Sequence, residues 1–421
     1  MNRARPGRIL FVCEAVTLAQ VVRLATLARA LDPARYQIHF ASAAFDELIF
    51  RDTAFHRHAL YSVDAATIDA RVAGGRRLYG ERTLARYVSE ERALFAAIRP
   101  DVVVGDLRLS LAVSAAVDRV PYANLINAYW SPFAVRDGFP LPDHPIVRLL
   151  GVELAAQHFG KALPFVFAHF AAPVNALRAT YGLPELGSLP EILTGGDQTL
   201  FPDVPALIPT RALPPYQQYL GPVLWSPPVA LPAWWDRLDP ERPTIYVTLG
   251  SSGRVNLLPQ VIEAAGALGL QALVATAGRT KINASALPPH VHVTDYLPGH
   301  LAARRALAVV SNGGSTTGYQ ALAEGRPVLG LAFNLDQYLA MTAIQDAGAG
   351  ILVRAGNAEA TGIRAALKDL VERPTFLAAA QGLADEFRRW DGPATFAAWL
   401  DRFLASGVDD RPPATVRMAA S

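Results

Sequence analysis

Short apolar runs alternate with helix-period stretches along this chain, and the alternation occurs twice, before and after a proline-rich stretch in the middle. An apolar run followed by a helical stretch marks a βα unit, and repeated units build a largely parallel sheet. In the first series Ile9–Cys13 reads as a strand, Gln20–Leu31 as a helix, Tyr36–Ala41 as a strand and Val102–Gly105 as a later one. The second series has strands at Thr244–Leu249, Ala272–Ala275, Val291–Val293, Ala306–Val310 and Val328–Leu331. The expected fold class is α/β, with two Rossmann-like sheets.

The 421 residues amount to roughly two to three common domains. Between the series, Pro209, Pro214, Pro215, Pro222, Pro227 and Pro228 disfavour both helix interior and sheet ladder. The expected organisation is an N-terminal domain over 1–204, a linker over 205–232, a C-terminal domain over 233–385 and helices over 386–406, the last from Pro393 to Leu404. The stretch 407–421, rich in turn formers, is expected to be disordered.

Composition narrows the function classes. With 51% hydrophobic and 18% charged residues, large cores can be buried and disorder is excluded for most of the chain. A net charge of +2 without basic clusters gives no phosphate-neutralising stripe, so nucleic acid is not an expected partner. The basic start, Met1–Arg8, leads into too short an apolar run for a signal peptide, and no run is long enough to span a membrane. A cytoplasmic location is expected, with a membrane-surface patch left open. The single Cys13 fits a reducing compartment and reads as a core residue. Arginine greatly outnumbers lysine, which hints at a bacterial source.

Ala306–Gly350 is the most informative segment, reading as strand, glycine turn, helix, strand, polar loop and helix. Gly313 and Gly314 let the backbone approach a ligand closely, and Ser315, Thr316 and Thr317 stand where a helix begins. Hydroxyls and free amides at a helix N-terminus suit an anion such as a diphosphate. Asp336 and Gln337 follow the next strand, at the same carboxyl edge, where a carboxylate and an amide can hold sugar hydroxyls. An ordinary capped helix would explain the glycine turn alone.

The segment resembles the donor-site signature of family 1 glycosyltransferases, the UDP-glycosyltransferase and macrolide glycosyltransferase group, whose pattern is HGG, then T, EAL, GxP and DQ. It is kept here as Asn312-Gly313-Gly314, Thr317, Gln320-Ala321-Leu322, Gly325-Arg326-Pro327 and Asp336-Gln337, continuing to Gly348 and Gly350. Asn312 stands where the family has its phosphate-contacting histidine, and Gln320 where it has the glutamate that holds the ribose. Tyr219–Leu224 looks like the family's GPV segment. Thr248-Leu249-Gly250-Ser251-Ser252 is similar to its TLGS strand-loop, which makes Ser251 and Ser252 diphosphate candidates. Asp295-Tyr296-Leu297-Pro298 looks like the base-reading segment, with Gly299 in place of the usual glutamine. The resemblance covers nearly the whole chain, most strongly from Tyr219 to Gly350. It implies the GT-B fold, two Rossmann-like domains facing across a cleft, and inverting transfer from a UDP- or dTDP-type nucleotide sugar with no metal and no cofactor. The chain has no Asp-x-Asp, and its paired histidines, His56 with His58 and His290 with His292, lack an obvious third ligand.

Transfer needs a group that takes the acceptor's proton. In the resembling family this is a histidine seven residues before a Leu-Ala pair, oriented by an aspartate after a later strand. Leu27-Ala28 put Gln20 at that place, and Asp106 matches the aspartate. Glutamine does not titrate, so Glu14 or Asp106 is left as base, directly or through water, although Asp106 could simply cap a helix. The acceptor is expected in the first domain, against the apolar run containing Phe165, Phe167 and Phe170, which also reads as core. Because Gln20 replaces the base, a second class stays open: a catalytically silent nucleotide-sugar binder or activator.

Overall fold

The computed structural model describes residues 5–250, 252–280, 282 and 287–405, which fall into two compact units. The first comprises 5–137, 158–223 and 390–405. Its strands are β1 (Gly7–Cys13), β2 (Tyr36–Ser42), β3 (His56–Ala59), β4 (Val102–Asp106), β5 (Tyr122–Leu125), β6 (Gln198–Phe201) and β7 (Gln217–Tyr219). They form one parallel sheet in the order β3-β2-β1-β4-β5-β6-β7. Ile9 to Cys13 and Val102 to Val104 are fully buried, as expected of central strands covered on both faces. The strand order reverses between β1 and β4, where Cys13 pairs with Asp106. Ligands of open α/β sheets gather outside the carboxyl ends of strands at such a reversal.

The second unit comprises 138–157 and 224–389. Its strands are β8 (Thr244–Thr248), β9 (Gln271–Ala275), β10 (Val291–Thr294), β11 (Ala308–Ser311), β12 (Val328–Ala332) and β13 (Gly350–Arg354). They are parallel, in the order β10-β9-β8-β11-β12-β13. Ile245, Val247, Val274, Val310 and Leu329 form one core with Val261, Ile363 and Leu367 of the covering helices. The reversal lies between β8 and β11, with Thr248 beside Ser311.

The units differ from the sequence-drawn borders in three places. β7 lies inside the stretch read as linker, because Gln217–Tyr219 pair with β6 while the prolines only flank them. The helix Gly392–Ala405 belongs to the first unit, where buried Phe396 stands 6.0 Å from the Phe11 ring. Residues 138–157 group with the second unit although they lie in the first half of the chain. The stretch 407–421 is outside the described residues.

Candidate active site

At the β8/β11 reversal, the loops after both strands are tied together. Asn312 Nδ2 donates to Ser252 Oγ at 3.0 Å, and Asn312 Oδ1 accepts from the Gly314 amide at 3.2 Å. The Gly313 amide donates to Ser311 Oγ at 3.0 Å. Gly313 has φ +80°, and a Cβ there would stand 2.9 Å from Met341 Cγ, so this turn requires glycine. The helix Ser315–Ala323 follows, and its N-cap, Gly314, has no side chain with which to cap it. No N-cap side chain therefore bonds its first amides, and a helix N-terminus of this kind favours an anion. Ser315 is buried, Thr317 is half-buried, and Thr316 Oγ1 is buried with no hydrogen-bond partner. Ser251 lies outside the described residues.

Tyr296 follows β10 with its hydroxyl donating to the Ala277 carbonyl at 3.3 Å, while Leu297 is buried. Gln320, on the second turn of the Ser315 helix, donates through Nε2 to the Trp225 carbonyl at 2.8 Å. A Cβ at Gly299 would come within 2.1 Å of Gln320 Oε1, so the missing side chain at 299 is what admits the Gln320 amide.

Asp336 is exposed on the first turn of the helix Leu335–Asp346, whose N-cap Asn334 accepts from the Gln337 amide at 3.0 Å. Gln337 is buried, and its Oε1 accepts from the Phe333 amide at 3.0 Å. Of the expected sugar-binding pair, Asp336 faces outward and Gln337 fixes the loop that carries it.

In the first unit, the three catalytic candidates share the β1/β4 edge, and all are buried: Glu14 0%, Asp106 0% and Gln20 5% exposed. Gln20 is the N3 residue of the helix Leu18–Arg29 and completes a capping box with Thr17, its Oε1 accepting from the Val16 and Thr17 amides at 3.1 and 3.2 Å. Arg23, one turn on, takes both Asp106 oxygens, and its Nη1 donates to Asn127 Oδ1 at 2.7 Å. Asp106 is thus engaged by a guanidinium, an arrangement the sequence reading did not contain.

Glu14 accepts from the Tyr87 hydroxyl at 2.9 Å and from Arg108 Nη1 at 3.3 Å. Arg108 Nη1 also donates to Ser62 Oγ at 2.9 Å, and the Ser62 hydroxyl is near enough to Glu14 to pull its carboxyl slightly down. Arg108 Nε reaches Glu91 Oε1 at 2.7 Å, and Glu91 further accepts from Ser110 and Ser114. Two carboxylates therefore share one buried guanidinium. Burial pushes the Glu14 carboxyl up from 4.5 to about 7, against the downward pull of Arg108 and Tyr87. The signal available in sequence was Glu14 at the end of an apolar strand; its partners come from distant elements.

Phe165 is 78% exposed on the helix Val152–Thr180, Phe167 is buried and Phe170 half-buried. His56 and His58 lie on the edge strand β3, and His58 Nε2 is 2.9 Å from His39 Nδ1, a third imidazole held down to about 4 mainly by burial. Among the described residues, no cluster of His, Cys, Asp and Glu is arranged to hold a metal ion, and no helix is long and apolar enough to cross a membrane.

Residues 259–400 match the erythromycin biosynthesis protein CIII-like C-terminal domain. The chain is 47% identical over 385 residues to a PGL/p-HBAD biosynthesis glycosyltransferase of Mycobacterium tuberculosis strain H37Ra, covering 91% of this chain and 89% of that protein. It belongs to the family 1 glycosyltransferases. A PGL/p-HBAD biosynthesis rhamnosyltransferase of Mycobacterium bovis strain BCG is 46% identical over 387 residues, 92% of this chain and 85% of that protein. An inactive PGL/p-HBAD biosynthesis glycosyltransferase of the same strain is 48% identical over 264 residues, 62% of this chain and 72% of that protein. Among solved structures, the spinosyn rhamnosyltransferase SpnG complexed with thymidine diphosphate shares the fold, with TM-score 0.65 and 19% identity over 94% of this chain and 100% of that one. The two parallel α/β units are the two Rossmann-like domains of the GT-B fold.

Proposed function

We propose that this glycosyltransferase moves a hexose from a UDP- or dTDP-type sugar to a hydroxyl of an apolar, lipid-like acceptor, inverting the anomeric centre without a metal ion or further cofactor. The observation that carries the donor assignment is the uncapped helix Ser315–Ala323 entered through Gly313 and Gly314 at the β8/β11 reversal. A diphosphate there gains the helix-terminus field and direct amide hydrogen bonds. Asn312, Ser252, Thr316 and Thr317 stand on the diphosphate side, Tyr296, Leu297 and Gln320 on the nucleoside side, and Asp336 on the sugar side. The names of the mycobacterial relatives support a lipid-like acceptor, and the thymidine diphosphate in the SpnG structure supports a dTDP-type donor. The acceptor site is assigned to the first unit, and the exposed Phe165 suits brief contact with a membrane surface from the cytoplasm.

Of the three catalytic candidates, Gln20 has no titratable group and Asp106 is engaged by Arg23, whereas burial raises the Glu14 carboxyl to about 7. It is buried, whereas Ser62 beside it is half-exposed. A hydroxyl has one donor and two acceptor sites. Ser62 can therefore accept from Arg108 and from the acceptor O–H while donating to Glu14. As the acceptor oxygen bonds to the anomeric carbon, the nucleoside diphosphate leaves with the electron pair of the broken C–O bond. The acceptor's proton passes to Ser62 as the proton of Ser62 passes to Glu14. Glu14→Gln is expected to lower kcat about 10²- to 10³-fold, as loss of a general base does, with nucleotide affinity unchanged. Ser62→Ala should fall in the same direction, and full activity in both would remove Glu14 from the mechanism.

A second reading, a silent nucleotide-sugar binder, is favoured by the non-titrating Gln20 and by the relative named inactive. A transfer and donor-hydrolysis assay with a panel of UDP and dTDP sugars separates the two. Turnover supports the enzyme, and saturable binding without turnover supports the binder.

A further inference from the structure

Residues 138–157 are held in the second unit by contacts that converge on one side chain. Asp143 Oδ1 accepts from the Tyr338 hydroxyl at 2.9 Å and pairs with Arg354 Nη2 at 3.0 Å. Asp143 Oδ2 accepts from the Gly356 amide at 2.6 Å, and the Asp143 amide donates to the Phe333 carbonyl at 2.9 Å. Arg354 also donates to the carbonyls of Leu141 and Pro142, at 2.9 and 3.1 Å, and lies over the Tyr338 ring at 4.9 Å. The Asp143 side chain is 11% exposed, so the carboxylate is largely withdrawn from water and depends on these partners.

The placement of the partners gives the cluster its meaning. Phe333 is the first residue after β12, Asn334 caps the next helix, Asp336 stands in its first turn, and Tyr338 follows. Asp143 thus grips the loop 333–337 at both ends, through the carbonyl of Phe333 and the hydroxyl of Tyr338, and anchors both to the end of β13 through Arg354. A rigid loop between two fixed points holds its exposed carboxylate in one place. None of these contacts involves the glycine turn or the helix Ser315–Ala323.

We propose that Asp143 is a positioning residue for the sugar half of the donor, acting through the 333–337 loop on Asp336 and leaving the nucleotide half alone. This rests on the donor-site reading above. A segment that precedes the second sheet by about a hundred residues would then decide how firmly the sugar is held and how strictly one sugar is chosen over another.

The test compares nucleoside diphosphate with nucleotide sugar in the full-length protein. Asp143→Ala is expected to raise KM for the nucleotide sugar about tenfold and to weaken its discrimination among sugars, with kcat within about threefold and Kd for free UDP or dTDP within about twofold of wild type. Tyr338→Phe, which removes one grip and keeps the ring, should shift KM in the same direction by less, and it carries the test if Asp143→Ala does not fold. Unchanged KM in both variants, or an equal loss of nucleotide and nucleotide-sugar affinity, would overturn the proposal while leaving the donor site intact. Wild-type protein that binds neither UDP nor dTDP would overturn the donor-site reading itself.

Discussion

Arg23 closes on Asp106 with two arms of its guanidinium, Nε to Oδ2 at 2.9 Å and Nη2 to Oδ1 at 2.8 Å, at the carboxyl end of β4. The carboxylate that would orient a catalytic imidazole elsewhere in the family is here one half of a buried ion pair. Asp106 therefore fixes the helix Leu18–Arg29 against the sheet.

That pair sets the first expectation. Arg23→Ala leaves the Asp106 charge buried and without its guanidinium, and should cost about 3–5 kcal/mol of stability, read from urea unfolding. For the same reason Gln20→His should not raise transfer by as much as tenfold, because Asp106 is already engaged and the capping box is lost. A tenfold gain in a transfer assay would show that Asp106 can turn to a new imidazole after all.

Glu14 gives stability a pH dependence with a definite sign. Its folded-state carboxyl, raised by burial to about 7 from 4.5, binds its proton more tightly than in the unfolded chain. The contribution is complete below pH 4.5, is lost as pH rises to about 7, and is flat beyond. Its size is on the order of a few kcal/mol. In Glu14→Gln this slope should disappear, leaving the variant more stable than wild type near pH 8 even though it transfers less sugar. Thermal melts from pH 5 to 8 check it, and an undiminished slope in the variant would assign the proton to another group.

The sugar-side role proposed for Asp336 separates sugar from nucleotide. Asp336→Ala should lower kcat/KM for transfer by about 10²-fold, the loss expected when hydroxyl-holding hydrogen bonds to a charged group are removed. Affinity for free UDP or dTDP should stay within about twofold. Calorimetry on the nucleotides beside kinetics on the nucleotide sugar makes the comparison, and an equal loss of both would remove Asp336 from the sugar side.

Much of the fold was legible because buried parallel strands are nearly continuous apolar runs. All eight strands read from the sequence correspond to strands of the two sheets, with Ala306–Val310 starting two residues early relative to Ala308–Ser311. β7 was not legible, since a three-residue strand among prolines carries no period. The glycine turn was legible because its geometry demands Gly313. The side-chain partnerships were not. Gln20 and Thr17 form a local cap that a helix-start reading could have found, whereas Arg23 with Asp106, Arg108 with Glu14 and Glu91, and Asp143 with Tyr338 and Arg354 join residues that only the folded chain brings together. Asp143 stood in the first half of the sequence with nothing local to assign it to the second unit.

The central claim is that the helix beginning at Ser315 receives the diphosphate of a nucleotide sugar, and the most direct measurement is calorimetric titration of UDP and dTDP into wild type and Gly314→Val. Gly314 has φ −72°, a conformation valine adopts, and the nearest atoms to an added Cβ belong to the Asn312 side chain, with Oδ1 at 3.3 Å. The substitution should therefore leave the fold intact while its branched side chain blocks the ligand's approach to the amides. The account predicts saturable binding of at least one nucleotide to wild type and none detectable to the variant at an unchanged melting temperature. Equal affinity in the two proteins would contradict it.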